Sequence, residues 1–585
     1  MPMSNAEIAE AFREMADLLE ISGGANPFRV RAYRTAADSI QDQPRALRDM
    51  VANGDDLTAL PGIGPDLSRS ITQLVQDGQF PEAEAIKQQI DPGVRGIMRI
   101  PGLGPKRVRT LHDELGIKNV NDLQTALTQN RLAGVSGFSE KLQDQIAQAL
   151  ERGRTKKARR LISEVDPIAQ ELQDYLRSLP GVSEANVTGS WRRRRETVGD
   201  LDSVAASSDP ARAVDAFTEW APIAEIVGHG DTRASVVLHS GIAVDFRAVK
   251  PEHYGAAMIY FTGSLDHQLV LRNMAIDRGW KLNEYAVYAS AEESEIIASR
   301  TEADIYAAFD LAWIPPELRE NRGEIAAAAN GTLPTLIEQS DIRGDLHCHS
   351  TWSDGKASVL EMAKAAQALG YDYIAITDHS PRLAMTNGLN PDRLSQQAQE
   401  IAAANDALPG FTVLRGQEVD IFKDGSLDQT DAALDQLDIV ICSVHSHFDL
   451  SREEQTARLI RAISHPAVTI IGHPQGRLLE RREGIQLDLE AVFEAAIAHN
   501  VAMEINADPH RLDLHDTAIQ LGKQMGVTFT IDTDAHSPGG FRLLRYGIDE
   551  ARRGWLEQGD VLNTKGIAGL REWLGKRQEA NTDPS

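Results

Sequence analysis

Ile8, Phe12, Met15 and Leu19 recur at helical spacing behind Ser4-x-x-Glu7, a capping-box pattern that predicts a helix from the start of the chain. Helical spacing continues through residues 1–90. It is broken by a short turn that recurs: Leu60-Pro-Gly-Ile-Gly64 ahead of Leu67 to Val75, and Ile100-Pro-Gly-Leu-Gly104 ahead of Val108 to Leu115. A looser third copy, Leu132-Ala-Gly-Val-Ser-Gly-Phe-Ser139, precedes Lys141 to Leu150 and carries Ser139 where a second glycine is expected. From about 160 to 250 helices alternate with strands such as Ala185–Thr188, Ser235–Leu238 and Ala243–Val249, and residues 251–315 keep that mixed character. Pro315-Pro316 and the Ala-rich run to Pro334 read as a helix-bearing linker. A second helix–strand alternation then runs from Asp341 to about 575.

Six apolar, strand-like runs in that last stretch end in metal-binding side chains. They deliver His347 and His349, then His379, Glu418, His445, His473, and finally Asp534 and His536. Ligands at the C-terminal ends of successive strands are how α/β barrels build active sites. Mixed imidazole and carboxylate donors suit Mn, Zn or Fe, whereas a structural zinc site would favour cysteine. One histidine at a strand end is ordinarily a hydrogen-bonded structural residue; its recurrence at successive strand ends favours a metallohydrolase. His445, which follows its strand directly, is preferred to His447, while His465, His499, His510 and His515 read as surface or structural.

A second chemistry lies in Gly189-Ser-Trp-Arg-Arg-Arg-Arg-Glu-Thr-Val-Gly-Asp200-Leu-Asp202. Residues i and i+2 of a strand share a face, so Asp200 and Asp202 point together, and Asp245 can join them from a neighbouring strand. Three converging carboxylates repel one another unless they hold cations, and hard oxygen ligands favour Mg²⁺. Gly189-Ser190 can open a helix towards phosphates, with Arg193 adding charge.

The net charge of −26 argues against indiscriminate coating of DNA, yet Arg152 to Arg160 and Arg192 to Arg195 are local basic clusters. Cys348 and Cys442 are the only two cysteines, which gives no disulfide framework and fits a reducing compartment. No signal peptide or membrane-length apolar stretch is evident, so a cytoplasmic protein without membrane partners is expected. At 585 residues, 42% apolar and 25% charged, the chain can bury several cores.

The Pro-Gly-φ-Gly turns resemble the helix-hairpin-helix motif, which holds nucleic-acid phosphate without reading sequence. The Gly189–Asp202 segment resembles the nucleotidyltransferase palm of family X DNA polymerases. Tyr260-Phe-Thr-Gly-Ser264, Arg272 and Asn283-Glu-Tyr285 resemble that family's nucleotide-binding region, and Arg29-Val-Arg-Ala-Tyr33-Arg34 extends the likeness upstream. The barrel half resembles the polymerase-and-histidinol-phosphatase (PHP) domain joined to many bacterial members.

The resemblance implies a multi-domain α/β protein with N-terminal helix-hairpin-helix domains, a polymerase-beta-like palm, a mixed α/β thumb and a C-terminal distorted (β/α)7 PHP barrel. Expected units are 1–90, 91–155, the palm 156–250, a nucleotide-selecting domain 251–318, a linker 319–340 and the PHP domain 341–575.

Asp200, Asp202 and Asp245 would bind two catalytic metals, Mg²⁺ or Mn²⁺. Gly189, Ser190, Arg193 and Gly199 would hold the triphosphate. Tyr260 and Phe261 would line the sugar, Gly263 would also bind the nucleotide, and Arg272 would meet the template. Gly62, Gly64, Gly102 and Gly104, with Arg29 and Tyr33, would hold DNA.

In the PHP site the resemblance adds Asp354, giving nine ligands for three Mn²⁺ or Zn²⁺ ions, with His445 or Arg477 steadying a phosphate and Glu504-Ile-Asn506 supporting the site. The implied activity is gap-filling, base-excision-type repair synthesis from deoxynucleoside triphosphates on gapped or primer-template DNA, with 3′→5′ exonuclease activity, by a monomer.

The chain departs from the family at Ser70, where lyase members place a Schiff-base lysine, and at Asp66, Ala243 and Arg194. Without the lysine amine an imine cannot form at Ser70. Two other readings stand beside the first: a small-molecule phosphoesterase tethered to DNA by a weak or inactive polymerase core, and a non-catalytic DNA-end-binding protein.

Overall fold

The structure is a computed structural model. It describes residues 5–582 apart from 23–25, 42–46, 53, 61, 78–79, 88–89, 91–93, 95–96, 98–102, 130, 133–134, 136–137, 140–141, 144–145, 147–158, 291, 294 and 383–385. Ser4, Gly102 and the basic stretch 152–158 therefore lie outside the described residues. The chain divides into two compact units, Met1–Lys157 and Ala158–Ser585.

In the first unit the helices Asn5–Ser22 and Pro27–Gln41 pack along each other. They bury Ile8, Phe12, Met15 and Leu19 against Tyr33, Ala36 and Ile40. The same core takes in Ile71, Leu111 and Leu123, so both glycine-turn regions share it. Gly62 has φ +76°, and a Cβ there would lie 2.8 Å from Thr35 Cγ2, so the first turn needs glycine on both counts. Gly104 caps the helix Pro105–Leu115 with proline at its first position.

The second unit opens with a five-stranded sheet in the order β2-β4-β7-β6-β5. Its strands are Val182–Val187 (β2), Leu201–Ser207 (β4), Ile223–Gly230 (β5), Arg233–Leu238 (β6) and Ala243–Val249 (β7). A short ribbon pairs Arg160–Leu161 (β1) with Thr197–Val198 (β3). β4 and β7 run parallel, and Asp202 lies opposite Asp245 in their register. The helices Tyr254–Thr262 and Leu265–Asp277 follow. Next comes a three-stranded sheet of Lys281–Leu282 (β8), Val287–Tyr288 (β9) and Ile296–Ala298 (β10).

Seven parallel strands then stand in sequence order. They are Gly344–Cys348 (β11), Tyr373–Ile376 (β12), Thr412–Asp420 (β13), Ile439–Ser443 (β14), Ile470–Ile471 (β15), Ala502–Asn506 (β16) and Phe529–Asp532 (β17). A parallel bridge between Cys348 and Ala535 brings the ends of the sheet together. Each strand is followed by a helix, from Val359–Ala368 to Leu544–Arg553, as a (β/α)7 near-barrel requires. Strand residues such as Ile374, Ile441 and Ile505 are fully buried, because helices cover one face of the sheet and the barrel interior the other.

The palm does not close its core alone. Leu512 and Tyr546 of the barrel half are buried in the same apolar cluster as Val187, Leu201 and Phe246. Cys348 and Cys442 are buried and form no disulfide. Among the described residues no helix is long and apolar enough to cross a membrane.

Candidate active sites

The palm brings its acids together. Asp202 sits on β4, Asp245 is its register partner on β7, and Asp200 lies in the bend just before β4. Burial raises the Asp202 carboxyl, the charges of Asp200 and Asp245 raise it further, and it reaches about 7 despite Arg193 and Arg247. A carboxylate so crowded by its own kind calls for cations. Ser235, opposite Asp245 on β6, donates its hydroxyl to the Asp245 carboxylate. Gly189 has φ +63°, and a Cβ there would lie 2.5 Å from Asp202 Oδ2, so the expected phosphate loop abuts the acids.

Arg193 does not project freely. Its Nε donates to Glu320 Oε1 at 3.1 Å, and its guanidinium also donates to the Thr262 carbonyl. Gly263, at φ +72°, leaves room for it, since a Cβ would come within 2.9 Å of Arg193 Nη1. The Gly189–Arg195 and Tyr260–Ser264 segments, distant in sequence, therefore meet. Tyr260 is 38% exposed and contacts the Phe261 ring edge-on at 5.1 Å. Arg272 is exposed on its helix, and Gly199 lies in the bend beside Asp200.

The Arg192–Arg195 run, expected as a basic surface patch, is instead neutralised. Arg192 pairs with Glu302 at 2.7 Å, Arg193 with Glu320, and Arg194 with Asp166 at 2.9 Å and Asp549 at 2.6 Å. Arg195 lies 3.8 Å from Glu320. Each guanidinium found a carboxylate far away in the chain, which a charge run by itself does not reveal.

In the first unit Gly62 lies in a turn, and Gly64 and Gly104 directly precede the helices Pro65–Asp77 and Pro105–Leu115. Arg29 and Tyr33, expected to hold a phosphate, both lie against one carboxylate. Arg29 is ion-paired with Glu82, and Tyr33 donates to the same carboxylate at 2.9 Å. Ser70 Oγ donates to the Asp66 carbonyl at 3.2 Å, and Asp66 pairs with Arg69, so neither position offers an amine.

The nine expected barrel residues all meet at the C-terminal ends of β11 to β17. Glu418 is the hub, with His379 Nδ1 at 2.8 Å, His473 Nε2 at 2.9 Å, His445 Nε2 at 3.3 Å and His347 Nε2 at 3.5 Å. Asp534 Oδ1 accepts from His349 Nε2 at 3.0 Å, while Asp354 lies 3.4 Å from His536 and 3.6 Å from His379.

Three overlapping groups place ligand atoms within 4.8 Å of one another: His349, Asp354, His379 and His536; His347, His349 and Asp534; and His379, Glu418 and His445. His347 Nε2, His349 Nδ1 and Glu418 Oε2 are buried without a hydrogen-bond partner among the described residues. Such orphaned donors and acceptors fit divalent cations held by nitrogen and oxygen.

Burial alone would lower His379, yet the Glu418 and Asp354 carboxylates raise it to about 10. Burial likewise works against Glu418 and Asp534, but the surrounding imidazoles hold both well below the ordinary carboxylate range. His473 at φ +27° and Asp534 at φ +53° are non-glycine residues in the left-handed region, a cost of roughly 1–3 kcal/mol each that active sites tolerate.

Behind the ligands, Glu504 Oε1 meets His347 Nδ1 at 2.6 Å, bearing out the supporting place expected of it, and Asp420 lies 3.3 Å from His445 Nδ1. Asp420 was missed, although it ends β13 two residues after Glu418, a period-two signal that could have found it. Arg382, paired with Asp420 at 3.1 Å, and Arg511, 3.9 Å from Asp534, bring positive charge beside the cluster. Arg477, expected near a phosphate, is instead turned to Glu196 of the palm at 2.9 Å and to the Leu512 carbonyl. His515 caps the helix Asp516–Met525, a structural role.

Family models match four stretches: a helix-hairpin-helix domain at residues 3–80, a SAM-like helix-hairpin-helix tandem at 94–152, the DNA polymerase beta thumb at 257–320 and the PHP domain at 345–508. The DNA polymerase/3'-5' exonuclease PolX of Bacillus subtilis is 38% identical over 574 residues, 98% of this chain and 99% of the relative. The chain belongs to the family X DNA polymerases. Within this family-X chain the barrel half also matches smaller proteins. A probable phosphatase of Thermoanaerobacter sp. (strain X514) is 28% identical over 246 residues, 40% of this chain and 95% of its own length. A probable phosphatase of Caldicellulosiruptor saccharolyticus is 33% identical over 202 residues, 33% of this chain and 79% of its own length.

Proposed function

We infer that this chain is a DNA-directed DNA polymerase with a metal-dependent 3′→5′ exonuclease, acting in repair to fill short gaps and trim blocked primer ends. The single observation that carries the polymerase half is the convergence of Asp200, Asp202 and Asp245 beside Gly189, which lifts Asp202 to about 7. Three acids kept together at that electrostatic cost suit cation binding better than scaffolding.

Asp200, Asp202 and Asp245 would hold Mg²⁺ or Mn²⁺ in the palm, and the nine barrel residues three Mn²⁺ or Zn²⁺ ions. Bound there, the ions supply charge neutralisation at phosphate oxygens and an activated water. The chain's own residues do the rest. Gly189, Ser190 and Gly199 take the triphosphate, Arg193 reaches it only by exchanging Glu320 for the phosphates, and Tyr260, Phe261 and Gly263 bound the sugar. Arg272 faces the template, and the Asp245 carboxylate, oriented by Ser235, takes the primer hydroxyl proton. In the barrel Glu504 and Asp420 fix the ring orientations of His347 and His445. Arg382 and Arg511 replace Arg477 as the cations beside the scissile phosphate. Gly62, Gly64, Gly102 and Gly104 are the proposed contacts to the DNA backbone.

The barrel's likeness to probable phosphatases is consistent with the exonuclease half, and the second reading, a phosphoesterase tethered to DNA, is open to test. A gapped duplex with the four deoxynucleotides decides between them. The polymerase reading expects extension by the wild type, lost on Asp200→Ala; a wild type that degrades 3′ ends but never extends them would favour the tethered phosphoesterase.

A further inference from the structure

Arg194 occupies the turn just after the proposed triphosphate segment, with φ +56°, a conformation that favours glycine. Its side chain is only 17% exposed, and the guanidinium lies between carboxylates from the two halves of the second unit. Nη1 donates to Asp166 of the palm helix Ile162–Ser178 at 2.9 Å, and Nε and Nη2 donate to Asp549 of the barrel helix Leu544–Arg553 at 2.8 and 2.6 Å. Trp191 Nε1 also donates to Asp166 at 2.7 Å, and Arg545 of the barrel pairs with it from the other side.

The neighbouring residues are held as well. Arg553 Nη1, 2% exposed, donates to the Arg193 carbonyl at 2.7 Å and to Glu320 at 3.1 Å. Arg477 Nη2 donates to Glu196 at 2.9 Å. Residues 193, 194 and 196 are thus each tied to the barrel, while Leu512 and Tyr546 complete the apolar core beneath them.

The same stretch lies against Asp202 through Gly189. Buried ion pairs gain little net stability over their desolvation cost, and breaking one by removing a partner is costly. Their place here is therefore informative: they immobilise the loop that must meet the nucleotide.

We propose that Asp549 and Arg553, in the nuclease half, are positioning residues for the polymerase's nucleotide site, acting through Arg194 and the Arg193 carbonyl. This rests on the polymerase reading above. The nuclease half then does more than trim ends: it forms the outer wall that sets where the triphosphate lies.

The test is steady-state filling of a one-nucleotide gap by the full-length protein, with 3′→5′ degradation of a single strand measured in parallel. Asp549→Asn keeps size and removes charge; Arg194→Gly removes the guanidinium while suiting the backbone, and serves if the first variant folds poorly. Each is expected to raise KM for the incoming nucleotide about tenfold with kcat and nuclease rate little changed, as slight misplacement of a binding group does. Asp549→Glu is expected to recover most of the loss, and the double variant to match the single ones. Unchanged KM in both variants, beside a wild type that extends normally, would overturn the proposal. So would parallel loss of both activities and of melting temperature with KM unmoved. A wild type that never extends would instead sink the polymerase reading, a distinct failure.

Discussion

Gly189 stands against Asp202 so closely that a Cβ at position 189 would lie 2.5 Å from the carboxylate oxygen Oδ2. The glycine also sits at φ +63°, so space and backbone both exclude a side chain. Gly189→Ala should therefore displace Asp202 or the loop. Gap filling is expected to fall by about 100-fold, as an ångström-scale shift of catalytic groups does, while 3′ degradation continues at the wild-type rate. Near-normal extension by the alanine variant would contradict the placement.

Asp202 sets a pH dependence whose sign can be worked out. Its carboxyl rises from an ordinary 3.8 to about 7, so between those values the folded metal-free protein holds a proton that the unfolded chain lacks. Stability on this account falls as pH rises towards 7 and stays low above it. Asp202→Asn should raise the melting temperature of the metal-free protein at pH 8, with a gain that shrinks towards pH 5. Mg²⁺ should stabilise the wild type at pH 8 and not the variant. Thermal melts at the two pH values read this directly, and a pH-independent effect would count against it.

Glu504 is fully buried and holds His347 through Nδ1 at 2.6 Å, leaving Nε2 for a cation. Glu504→Gln keeps the volume but weakens that orientation. Mn²⁺ affinity of the barrel is expected to drop roughly 10–100-fold, with excess metal restoring nuclease activity. Titration of exonuclease rate against Mn²⁺ measures the shift.

Glu82 takes up both groups expected to greet a DNA 5′-phosphate, Arg29 and Tyr33. The wild type should bind gapped DNA about equally with or without a 5′-phosphate at the gap. Glu82→Gln, which releases Arg29, should create a preference of roughly threefold for the phosphorylated end, as one exposed charge contact gives. Fluorescence anisotropy with the two substrates distinguishes the outcomes.

The parts legible in the sequence are those whose chemistry is periodic. Strand ends carrying His347, His379, Glu418, His445, His473 and Asp534 announced the barrel, because parallel strands place their C-terminal residues around one mouth. Asp200 and Asp202 were readable from their two-residue spacing, although only Asp202 lies on the strand and Asp200 in the bend before it. What escaped was pairing across long separations. Arg194 meets Asp549 355 residues away, and Arg29 meets Glu82 at a separation of 53, so neither partner can be named from local pattern. Arg477 was misplaced on the same account: it lies four residues after His473, yet its guanidinium turns to the palm, where Glu196 offers a charge.

Calorimetric titration of Mn²⁺ into the metal-free protein, repeated with Asp202→Asn and with His347→Ala, tests the two-centre account most directly. The account predicts two classes of site in the wild type, with each substitution erasing one class and sparing the other. A single class, or either substitution depleting both, would contradict it.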